Sequence, residues 1–69
     1  MEEYQERVLV EQKELGEKII KLTTFLINAE KMKVLGEQEW KQLNLQLEAM
    51  LEYHLILIIR IRNYREPLQ

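Results

Sequence analysis

Apolar residues recur along positions 4–29 in steps of four and three. Tyr4, Val8, Leu15, Leu22, Phe25 and Ala29 carry the rhythm, and Glu11 and Lys18 fill its two remaining steps. That spacing keeps one helical face turned toward a partner helix and predicts a helix over 2–27. Glu2, Glu3 and Glu6 suit its positive end, and Asn28 is its expected terminator. A second rhythm, Trp40, Leu43, Leu47, Met50, His54, Leu57, Ile61 and Tyr64, runs without a break and predicts a helix over 37–64. Pro67 then stops any continuation, leaving 65–69 as a tail.

The connector, 28–36, holds Met32, Val34 and Leu35, which are too apolar for an idle loop. They are expected to form one short helical turn closing the end of the hairpin, with Gly36 letting the chain turn into the next helix. A connector of this length permits only an antiparallel return. Charge agrees, because an antiparallel hairpin sets the acidic half of each helix beside the basic half of the other. The expected fold is therefore all-α: a single domain over 1–69, built as an antiparallel two-helix hairpin.

The second helix carries more apolar surface than one partner covers. Leu45, Ala49, Leu51, Leu55, Ile56, Ile58 and Ile59 all lie off its seam. Residues 51–61 are expected near the centre of a homo-oligomer; an exposed patch for a different protein is the other reading. Length points to self-association as well, since 69 residues seldom bury enough apolar surface alone. Cysteine is absent and His54 is the one histidine, so disulfides and thiolate or His-rich metal sites are not expected.

A net charge of −2 argues against a dedicated DNA- or RNA-binding domain. The acidic N-terminus does not read as a secretory signal, and the most apolar run, 55–59, is too short to cross a bilayer. A cytoplasmic protein with no membrane partner is the expectation.

Enzyme signals are missing. There is no serine, no nucleophile–base constellation, no Gly-rich phosphate loop and no metal-ligand spacing, so no catalytic residue and no cofactor is expected. His54, on an apolar seam, reads as a packed histidine bonded to a neighbour. Gly16, in mid-helix, fits close approach either of a neighbouring helix or of a ligand. The adjacent Thr23 and Thr24 either back-bond to the preceding turn or contact a ligand. Glu11 and Lys18 are either a polar pair that fixes register or part of a polar pocket where protomers meet. Lys18 and Lys21 lie one turn apart and suit phosphates; Tyr4 and Arg7, also one turn apart, suit a base and its phosphate.

The pattern Tyr4-x-x-Arg7-Val8-x-x-Glu11-x-x-Glu14-Leu15-x-x-Lys18-x-x-Lys21-Leu22-x-x-Phe25 resembles a family of small bacteriophage helical-hairpin proteins. So does Leu43-x-x-Gln46-Leu47-x-x-Met50-x-x-Tyr53-x-x-x-Leu57-x-x-Arg60-Ile61 in the second half. That family is similar to the anti-defence sponges directed against CBASS and Thoeris immunity. The resemblance implies an oligomer of hairpins, often a hexamer, in the cytoplasm of an infected bacterial host. It would sequester a cyclic di- or trinucleotide, or a cyclic ADP-ribose signal, without cleaving it. Within the matching stretch, Tyr4 is the expected stacking ring, Arg7, Lys18 and Lys21 the phosphate contacts, and Thr23 or Thr24 a hydroxyl contact. The alternative is a non-enzymatic structural or adaptor protein that binds another phage or host protein.

Overall fold

The computed structural model describes residues 2–65, with the side chain of Arg65 left aside. Two helices account for nearly all of it: α1, Glu3–Met32, and α2, Glu37–Arg65. They pack along each other as a rod with extents of 49 × 19 × 15 Å. Cross-helix contacts fix an antiparallel register. Tyr4 meets Tyr64 edge-on with ring centroids 6.1 Å apart, and Gln12 meets His54 at 3.0 Å. The expected all-α hairpin is the observed fold.

Helix α1 begins where its acidic turn predicts. Gln5 Oε1 accepts the Glu2 backbone N–H at 3.0 Å, which satisfies a donor that the helix leaves unpaired. Its end differs from expectation. Asn28 does not stop it, and the helix runs on to Met32. Ala29 is the reason: it is only 4% exposed, so ending the helix at 27 would lose a seam contact. The stop comes instead from Lys33, at φ 54, ψ 40 in the left-handed region. Its N–H donates to the Glu30 carbonyl and that of Val34 to the Ala29 carbonyl, both at 3.3 Å, which is the Schellman closure.

The connector thus shrinks from 28–36 to 33–36. Of the three residues expected to close the hairpin end in a short turn, Met32 belongs to α1 and is exposed, Val34 is exposed, and only Leu35 is half-buried. Gly36 keeps a negative φ and has open space where a Cβ would stand, so its freedom is not what turns the chain. The Trp40 N–H donates to the Gly36 carbonyl at 3.0 Å and opens α2. Arg65 still belongs to α2, and the rest of the expected tail, with Pro67, lies outside the described residues.

The α2 seam is as expected: Trp40, Leu43, Leu47, Met50, His54, Leu57, Ile61 and Tyr64 are each buried or half-buried, and Leu57 is fully enclosed at 0% exposure. The α1 seam is correct in one half and shifted by one residue in the other. Val8, Leu15, Leu22 and Ala29 face α2. Between them stand Gln5, Gln12, Ile19 and Leu26, not Tyr4, Glu11, Lys18 and Phe25, all four of which are exposed. Both sets complete a heptad with the same four residues, so burial cost decides between them. The observed set encloses Ile19 and Leu26 and leaves both charges in water; the other would place Glu11 and Lys18 against α2, at several kcal/mol per unpaired ion.

Candidate functional site

One polar node interrupts the seam. Gln12 Nε2 lies 3.0 Å from His54 Nε2; with the amide donating, the ring nitrogen accepts and the imidazole carries its proton on Nδ1. Opposite stands Gly16, whose added Cβ would come within 3.2 Å of that same Nε2. Gly16 therefore makes room for a neighbouring helix, the first of its two expected readings, and His54 is the packed, bonded histidine that its seam position predicts. Gln12 went unforeseen. The signal was its place four residues after Val8 and three before Leu15, equivalent to the place of Ile19.

The displaced half-seam explains the outer face of α1. At about 100° per residue, Arg7, Glu11, Glu14, Lys18, Lys21 and Phe25 fall within about 80° of arc. All six are exposed, Phe25 at 49%. Glu11 and Lys18 are thus not a register pair inside the hairpin but members of this outward face. Tyr4 borders it at 56% exposure, with one edge of its ring against Tyr64.

Along the axis the candidate ligand contacts separate into two groups. Tyr4 and Arg7 stand near the start of α1, and Lys18 and Lys21 about 21 Å further on at 1.5 Å per residue. A single small ligand does not reach both within one chain. The two ends also differ in charge. Arg7 is held by Glu3 in a 2.8 Å ion pair. It lines an open hollow of about 360 Å³ with Glu3, Glu6, Val10, Glu11 and Glu14, a surface that repels an anion. Lys18 and Lys21 carry no ion pair among the described residues, although Glu14 and Glu17 stand four residues before them. Thr24 is exposed and lies beside Lys21, one turn along; Thr23 is half-buried toward the other flank. The structure therefore brings together Lys18, Lys21 and Thr24, and adds Phe25 one turn beyond Lys21.

Among the described residues no group of three or more His, Cys, Asp or Glu could hold a metal ion. No helix among the described residues is long and apolar enough to cross a membrane.

Fold and surface together define a small all-α hairpin with a half-buried polar node in its seam and a charged outer face at one end of which cations prevail. The chain belongs to the Sequestin family, whose model matches residues 2–63, both helices and the connector included. No curated protein and no solved structure matches it.

Proposed function

We propose that the hairpin is a phage anti-defence sponge. It binds a cyclic nucleotide immune messenger, of the cyclic di- or trinucleotide or cyclic ADP-ribose type, and holds it away from its effector. It does no chemistry on the ligand and works as a homo-oligomer in the cytoplasm of the infected host. Membership of the Sequestin family, a name that denotes sequestering, carries this reading. The outer face of α1 supports it, because two lysines one turn apart, without an ion pair among the described residues, suit phosphates and the half-exposed Phe25 ring beside them suits a base. In this reading Lys18 and Lys21 hold phosphate and Thr24 contributes a hydroxyl. Tyr4 and Arg7 enter only from a second protomer, since the axial separation keeps them from the same ligand in one chain, and Thr23, half-buried on the other flank, stays off this face.

Calorimetry of Lys18→Ala and Lys21→Ala against the messenger tests the placement. Each variant should lose about tenfold or more in affinity, as expected for one charge-assisted phosphate contact at about 1.4 kcal/mol per decade. Helicity and particle mass should not change, because both side chains are exposed. Arg7→Ala should lose less than either. Unchanged affinity in both lysine variants would remove this face as the site.

The exposed apolar surface of α2 favours one other reading, a non-enzymatic adaptor for another phage or host protein. A stoichiometric protein recovered from infected cells, with no nucleotide bound, would support it.

A further inference from the structure

The hairpin leaves the apolar residues of a second α2 rhythm uncovered. Glu48, Leu51, Leu55, Ile58 and Arg62 follow one another in steps of three and four, the same rhythm as the hairpin seam and about 100° around the helix from it. Leu51, Leu55 and Ile58 are 49%, 57% and 43% exposed, and neighbouring Ile59 is 49% exposed. A surface helix of a self-sufficient chain does not place four large aliphatic side chains in one solvent-facing strip.

From this strip we infer an interface with a second copy of the chain, the two α2 helices running antiparallel about a twofold axis near Leu55. Charge sets the orientation. The strip begins at acidic Glu48 and ends at basic Arg62, seven residues to either side of Leu55. Antiparallel pairing brings Glu48 of each copy to Arg62 of the other, twice, with Leu51 against the second copy's Ile59 and Leu55 against its own equivalent. Parallel pairing would set Glu48 against Glu48 and Arg62 against Arg62. A twofold contact between copies also uses one patch twice, as a self-complementary interface must.

The proposal is independent of the ligand reading. It places the contact on α2 and leaves the outer face of α1 open.

Two experiments test it in the full chain. The protein has no cysteine, so Leu55→Cys introduces a single thiol beside the proposed axis. Mild oxidation should convert it to a disulfide dimer in high yield. The matching variant at Leu45, which is 64% exposed and lies off the strip, should remain uncrosslinked. The second experiment follows self-association by sedimentation. Glu48→Arg should weaken it about tenfold, as two repelling pairs replace two attracting ones, and Glu48→Arg with Arg62→Glu should restore it. Equal crosslinking at Leu45 and Leu55, failure of the double variant to recover, or a monomeric wild-type chain at micromolar concentration would each overturn the proposal. Helicity measured on every variant separates loss of association from loss of fold.

Discussion

Gly16 and His54 occupy one space from two helices, so neither residue can be valued alone. Alanine at position 16 should gain about 1 kcal/mol in helix propensity. It would also press on His54 Nε2 from 3.2 Å and strain the bond to Gln12, a loss of about 1–3 kcal/mol for a polar group left unpaired in the seam. Gly16→Ala should therefore destabilise the native chain by about 1 kcal/mol net, yet stabilise the His54→Ala chain by about 1 kcal/mol. Urea unfolding of the four chains at one protein concentration measures this change of sign. Equal stabilisation in both backgrounds would show that the close approach constrains nothing. Tyr64 makes a second residue-scale case. Its hydroxyl oxygen is buried without a hydrogen-bond partner among the described residues. Tyr64→Phe removes a desolvated oxygen and keeps the ring packed on Tyr4, so stability should hold or rise by up to about 1 kcal/mol. A loss of that size in thermal unfolding would mean the hydroxyl is bonded in solution.

At the scale of elements, the two helices differ in how openly their sequences declare them. The α2 seam runs from Trp40 to Tyr64 without a break, so its face and start were legible from the rhythm, although Leu51, Leu55 and Ile58 set a second apolar rhythm beside it. Helix α1 offers two half-seams around Val8, Leu15, Leu22 and Ala29, one holding Glu11 and Lys18 and the other holding Gln12. Periodicity does not choose between them; the cost of burying charge does, and the His54 acceptor that makes Gln12 tolerable lies 42 residues away. The end of α1 was hidden for a similar reason. Asn28 has the chemistry of a terminator, but the seam still needed Ala29, and the chain turns at a lysine with no turn preference. That lysine carries a correctable cost. Lys33 sits at φ 54, where a Cβ is crowded and glycine is not. Lys33→Gly should raise stability by about 0.5–1 kcal/mol, read as a higher urea midpoint with an unchanged slope. A lower midpoint would contradict the left-handed closure.

For the whole molecule, the main fact is how little the hairpin encloses by itself. Val8, Leu26, Ala29 and Leu57 are its buried apolar side chains among the described residues, while large apolar groups stand exposed along both helices. Two uncovered faces remain with different chemistry: an aliphatic strip on α2 ended by opposite charges, and a face on α1 that passes from carboxylates to lysines and an aromatic ring. The first suits another copy of the chain and the second a small anion with a flat ring. The shifted half-seam produced that second face, since it moved Lys18 and Phe25 from the expected core to the outside. Of the expected contacts, Lys18 and Lys21 were legible as an adjacent pair from spacing. Their separation from Tyr4 and Arg7, and the acidic surroundings of Arg7, emerge only with the helix built and its ion pair closed. The claim that the chain sequesters a cyclic nucleotide is tested most directly by calorimetric titration of the purified protein with cyclic dinucleotides, cyclic trinucleotides and cyclic ADP-ribose forms, followed by heat release and chromatography of the ligand. Saturable binding of at least one of them, with the ligand recovered chemically intact, is the predicted result; no binding across the panel, or recovery of a cleaved product, would contradict it.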